Sequence, residues 1–95
     1  MANVRLLPQA EADILEAAAW YEARDPRTAR RFEDAVTAAI DRLGAMPELY
    51  SAEGDQHRRC PVRKSRYVVV YRYDPRRDEA VVAAVVNPAD DSRRF

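Results

Sequence analysis

The chain has 95 residues, with 16 acidic and 16 basic side chains, so its formal net charge is zero. That balance excludes a protein that coats nucleic acid by charge alone, and no stretch reaches the roughly 20 apolar residues of a membrane span. Cys60 is the only cysteine and His57 the only histidine, which excludes an internal disulfide and the usual zinc sites. The length suits one domain over residues 1–95. The start, Met1-Ala2-Asn3-Val4-Arg5, has no apolar signal region, and a cytoplasmic protein without cofactor or metal is expected. The zero charge hides an asymmetry: 11 acidic against 6 basic residues up to His57, then 5 against 10. This predicts an acidic helical side and a basic sheet side.

Asn3 to Leu7 reads as a short strand stopped by Pro8. From Pro8 to Ala23, Ala10, Ile14, Ala17 and Tyr21 recur at helical spacing, with Leu15, Ala18 and Trp20 widening or flanking that face. Glu11, Asp13, Glu16 and Glu22 give the other side an acidic character. Asp25 then Pro26 is a good N-cap followed by a good first helical residue. Ala29, Phe32, Val36, Ala39, Ile40 and Leu43 continue a second helix to about Gly44–Met46, before Pro47. The short link makes the helices an antiparallel hairpin whose apolar stripes need a sheet beneath them.

Residues 47–56 read as a loop, and His57 to Arg63 as a strand that Pro61 confines to an edge or a bulge. Cys60 beside Pro61 is expected to be a buried structural thiol. Tyr67 to Tyr73 is β-branched and aromatic, with Tyr67, Val69, Tyr71 and Tyr73 on one face and Val68, Val70 and Arg72 on the other. Asp74 to Asp78 is a turn, and Glu79 to Asn87 a last strand. Pro88 to Asp91 begins a turn or helix, and Ser92 to Phe95 is a short tail. The predicted class is α+β, in the order β-α-α-β-β-β, with a helical hairpin packed on a mostly antiparallel four-stranded sheet. The last three strands form a meander, and the edge that the first strand joins stays open.

No glycine-rich phosphate loop is present, because Gly44 and Gly54 are the only glycines. No nucleophile elbow surrounds Ser51, Ser65 or Ser92. Two features stand out. One is the basic set Arg58, Arg59, Arg63, Lys64, Arg66 and Arg72, which suits phosphate or carboxylate recognition or a guarded strand edge. Alternation places Arg59 and Arg63 on one face unless Pro61 introduces a bulge. The other is the tyrosine face Tyr67, Tyr71 and Tyr73, which suits an interface or a core rim.

Several phrases together resemble the ParE/RelE toxin superfamily. They are Ala10-x-x-Asp13-Ile14 with Tyr21 beyond it, Ala29-Arg30-Arg31-Phe32, Leu43 followed by Pro47, and Arg63-(x)3-Tyr67-(x)3-Tyr71-Arg72 leading into a valine-rich strand. The likeness runs from about Val4 to Phe95. It implies a toxin of a bacterial toxin–antitoxin (plasmid stabilisation) module, neutralised by a small antitoxin from a neighbouring gene. RelE-type members cut mRNA on the ribosome, whereas ParE-type members inhibit DNA gyrase. At the positions of RelE-type catalytic groups this chain keeps Arg59 but has Pro61, Val68, Ala89 and Phe95. A ParE-like toxin acting by protein binding is therefore expected, without catalytic residues and with nucleic acid reached only through the antitoxin complex. The alternatives are a RelE-type endoribonuclease and a non-toxic member that only binds antitoxin. The contact candidates are Arg58, Arg59, Arg63, Lys64, Arg66, Tyr67, Tyr71, Arg72, Arg93 and Arg94. Arg59, Arg63 and Arg66 are expected to meet acidic residues of an antitoxin laid over an exposed apolar sheet face.

Overall fold

The computed structural model describes residues 1–54 and 56–89. The expectations for Asp90, Asp91, Arg93, Arg94 and Phe95 lie outside the described residues. The elements run β1 (Asn3–Leu6), α1 (Pro8–Glu22), α2 (Pro26–Ala45), β2 (Ala52–Glu53), β3 (His57–Pro61), β4 (Val68–Asp74) and β5 (Glu79–Val86). The four expected strands share one sheet, and β2 adds two residues to its edge from within the expected loop. The order is β1-β5-β4-β3-β2. Strands β3, β4 and β5 form the expected antiparallel meander, and β1 joins β5 in parallel.

Each helix begins as its sequence dictates. Pro8 and Pro26 occupy first-turn positions, where the missing N–H is not needed. Asp25 caps α2 by accepting from the Arg27 N–H at 3.0 Å. The predicted stripe of α2 is buried at Ala29, Phe32, Val36, Ala39 and Leu43, with Ile40 half-buried beside it. On α1, Ala10 and Ala17 are buried while Ile14, Ala18 and Tyr21 pack against the core edge. Leu15 and Trp20 do not widen that face: they are 72% and 52% exposed. Phe32 lies at the centre of a ring cluster, 5.1 Å from Tyr21 and 5.2 Å from Tyr67 between centroids. This cluster joins the hairpin to the entry of β4.

Strand β5 departs from simple alternation. Val70 pairs with Ala84 and Tyr71 pairs with Val82, which leaves Ala83 as an extra residue in a bulge. The extra residue lets Val82 and Val85, three apart, both join the helix-covered core. Beyond the bulge β5 has outrun β1, whose last contact is the Leu7 N–H to the Val82 carbonyl at 2.9 Å. The Val85 N–H would be orphaned there, and Asp13 of α1 takes it: its Oδ2 accepts at 2.9 Å, while Oδ1 accepts from Gln9 Nε2 at 2.9 Å. Asp13 is thus buried at 6% exposure, not on the acidic outer side that helical spacing assigned to it.

The loop after α2 is tied down by polar ends of otherwise packed residues. Tyr71 is fully buried, and its hydroxyl donates to the Pro47 carbonyl at 2.7 Å. Arg58, the register partner of Tyr71 on the same face, donates to the Tyr50 carbonyl. Arg42 donates to the Pro61 carbonyl at 2.8 Å, closing the outer edge of β3, and a side-chain hydrogen bond with Tyr50 raises its pKa. Cys60 is fully buried with Sγ 3.6 Å from the Ala39 carbonyl oxygen, as a structural thiol should be.

Asp13→Ala leaves the buried Val85 N–H without its acceptor and is expected to cost about 1–3 kcal/mol, measured as a shift of the urea midpoint. Asp13→Asn, which keeps an acceptor oxygen, should lose less. Amide exchange at Val85 should accelerate in the alanine variant ahead of its strand neighbours.

Burial pushes the Tyr71 phenol up to about 12 from its ordinary 10.0. The native state therefore holds this proton more tightly than the unfolded chain. The resulting stability is complete below pH 10 and is lost as pH climbs from about 10 to 12. Tyr71→Phe should flatten that part of a stability–pH curve without abolishing it, because the Tyr73 pKa is also raised, chiefly by its hydrogen bond to Asp78.

Candidate binding surface on the sheet

One face of the sheet lies under the helices; among the described residues no helix covers the other, the open face. Cys60, Val69, Tyr71, Ala80, Val82 and Val85 join the helix-side core, with Val4, Leu6, Tyr67 and Tyr73 packed at its margin. Strand register therefore places Arg5, His57, Arg59, Val68, Val70, Arg72, Val81, Ala84 and Val86 on the open face. Three rows cross it. Pro61, Val68 and Val86 form an apolar row; Arg59, Val70 and Ala84 form the next; Arg72, Val81 and Arg5 form the row toward the β4–β5 turn.

The open face is less apolar at its surface than alternation implied. Val70 and Ala84 at its centre are fully buried, while Val68, Val81, Ala83 and Val86 are half-buried. Arg59 is the register partner of Val70 and is itself half-buried. A long arginine stem beside a valine covers apolar surface while its head stays polar. The expected broad patch is reduced to a strip.

At the turn end of this face lies a groove of about 850 Å³, lined by Leu7, His57, Arg72, Glu79, Val81 and Ala83 among others. Its rim is charged in both senses: Arg5 pairs with Glu79 at 3.6 Å and Arg77 with Asp74 at 4.0 Å. Tyr73 closes the rim by donating to Asp78 Oδ1 at 2.8 Å. Among the described residues no group of His, Cys, Asp or Glu is placed to hold a metal ion. The sequence pattern singled out neither Arg5 nor Glu79, and only the parallel β1–β5 pairing brings them together.

Eight of the ten contact candidates separate into four places. Arg59 and Arg72 share the open face. Arg58 and Tyr71 face the helices and spend their polar ends on the loop at 47–50. Tyr67 turns inward, its ring 5.2 Å from Phe32 and 6.4 Å from Tyr21. Arg63, Lys64 and Arg66 are exposed in the turn between β3 and β4, so Arg63 does not share a strand face with Arg59. Arg93 and Arg94 lie outside the described residues. The acidic helical side is likewise narrower than expected: α2 carries Arg27, Arg30 and Arg31 beside Glu33 and Asp34, and only α1 is predominantly acidic.

A family model described as the ParE toxin of the type II toxin–antitoxin system parDE matches residues 4–91. Among solved structures, the chain is similar to one in the RelBE2 toxin–antitoxin complex from Mycobacterium tuberculosis, at a TM-score of 0.64 and 20% identity. That match covers 94% of this chain and 93% of the other, a likeness that speaks to the fold. No curated protein sequence matches significantly. The family match spans nearly the whole chain: the chain belongs to the ParE toxin family of type II toxin–antitoxin systems.

Proposed function

We propose that this toxin acts in the cytoplasm by binding a protein target, DNA gyrase, and not by cutting RNA. In this reading a cognate antitoxin from a neighbouring gene neutralises it by covering the open face of the sheet. The observation that carries the reading is the apolar row Pro61, Val68 and Val86. RelE-type relatives place catalytic groups at the first two of these positions. Cleaving a phosphodiester needs cations against the developing charge and a group that moves a proton. Proline and valine supply neither. An apolar strip flanked by Arg59 and Arg72 suits instead an amphipathic protein segment, with the arginines steering its approach. The exposed Leu15 and Trp20 of α1 offer further apolar surface to the same kind of partner.

A second reading, a ribonuclease, draws on His57, Arg59 and Arg72 standing on one face. The two readings separate in one experiment. Purified toxin is expected to inhibit gyrase supercoiling and to leave mRNA on translating ribosomes intact. Ribosome-dependent cleavage that disappears in Arg59→Ala would overturn the proposal in favour of the nuclease.

The antitoxin is tested separately. Val81→Arg puts a charge into the half-buried strip without altering strand register. It should weaken the complex with the neighbouring gene product about tenfold or more, roughly 1.4 kcal/mol, by titration calorimetry. Arg30→Ala, on the exposed side of α2, should leave that affinity unchanged.

A further inference from the structure

The hairpin tip between β3 and β4 is built differently from the rest of the surface. The Val62 N–H donates to the Tyr67 carbonyl at 3.0 Å and closes the four-residue loop Arg63-Lys64-Ser65-Arg66. Ser65 locks it from inside: its hydroxyl donates to the Val62 carbonyl at 2.8 Å and accepts from the Tyr67 N–H at 3.0 Å. The loop is therefore rigid, and its three remaining side chains, all cationic, are exposed. Among the described residues no carboxylate pairs with any of them. Lys64 has φ of 59°, a left-handed conformation that glycine adopts without steric cost. Gln56 and Asp78 also have positive φ, at 74° and 47°, so what sets the tip apart is that its exposed side chains are all cationic.

We infer that this tip is a sequence-independent contact for the phosphodiester backbone of a nucleic acid, made directly by the toxin. The composition of the tip selects that partner over an acidic protein segment. Protein interfaces are anchored by apolar or aromatic side chains in desolvated contacts. The loop residues themselves offer none: Val62 is 1% exposed, the Tyr67 ring is packed on Phe32 and Tyr21, and the nearest apolar surface, Pro61 with Val68, lies at the base of the hairpin on the open sheet face. A phosphate backbone needs no such anchor, since cations and counterion release supply the attraction. The neutral net charge means that binding depends on these few cations and stays weak in the isolated protein. The contact adjoins the Pro61–Val68 end of the open sheet face but does not require the gyrase or antitoxin reading.

The test uses the full chain and two fluorescent probes, a short random-sequence DNA duplex and a single-stranded RNA, by anisotropy over a salt series. Three phosphate contacts predict a log–log salt slope of about −2.7 on duplex and about −2 on a single strand. Which probe binds more tightly identifies the source of the phosphates. Each of Arg63→Gln, Lys64→Gln and Arg66→Gln should reduce the slope on duplex by about 1, and the triple variant should abolish binding. Lys64→Gly separates charge from folding, because it relieves the backbone while removing the cation: thermal stability should hold or rise while binding falls. Failure of both probes to bind at low salt overturns the inference, as does unchanged binding by the triple variant. A triple variant that retains nucleic acid but loses its antitoxin would likewise overturn it and assign the tip to protein recognition.

Discussion

A single carboxylate settles how the helices sit on the sheet. Strand β1 ends after four residues because Pro8 turns the chain into α1, yet its partner β5 runs on to Val86. The unsupported stretch of β5 is interior to the fold, where an orphaned N–H is costly. Asp13, one and a half turns into α1, accepts from Val85 at 2.9 Å and so continues in side-chain form the ladder that β1 abandons. That bond fixes α1 both along and across β5. The short link through Arg24 then sets α2 antiparallel beside α1, which delivers Phe32 to Tyr67 and Arg42 to the carbonyl of Pro61.

Much of this was legible where one physical rule dominates. The stripe of α2 follows helical spacing without exception, and Asp25-Pro26 starts the helix as written. The strands after residue 56 follow β-propensity and turn chemistry. What escaped reading depends on contacts distant in sequence. Asp13 looked like solvated helix charge, because nothing local reveals that a strand 72 residues away needs an acceptor. The Ala83 bulge is invisible in Val81-Val82-Ala83-Ala84-Val85-Val86, where every residue is apolar and no alternation exists to break. The site was legible in residue type but not in placement. A basic run read as one cluster divides in space, since alternation sends Arg58 and Arg59 to opposite faces and a tight turn removes Arg63, Lys64 and Arg66 from both.

That division matters for function. The cations that flank the apolar strip on the sheet are few, and two of the arginines nearest in sequence are committed elsewhere, one to a loop carbonyl and one to a hairpin tip. In the proposed reading, the open face takes an amphipathic partner guided by sparse charge, where a nuclease would gather cations around the scissile phosphate. The buried hydroxyl of Tyr71 and the guanidinium of Arg58 serve the same end indirectly. By pinning residues 47–50 beneath the sheet edge, they keep the loop after α2 anchored.

The interior position of β5 also orders the events of synthesis. The strand that pairs with both β1 and β4 is the last to leave the ribosome. Until it does, β1 has no neighbour, Asp13 has no N–H to accept from, and the apolar stripes of the hairpin have only part of the surface that covers them. Contacts spanning most of the chain must then form together, and such long closures are slow. A nascent toxin therefore passes through an interval in which its helices and earlier strands exist but its sheet is not yet a surface. Whatever recognises the finished sheet competes, during that interval, with whatever can bind the uncovered helices first.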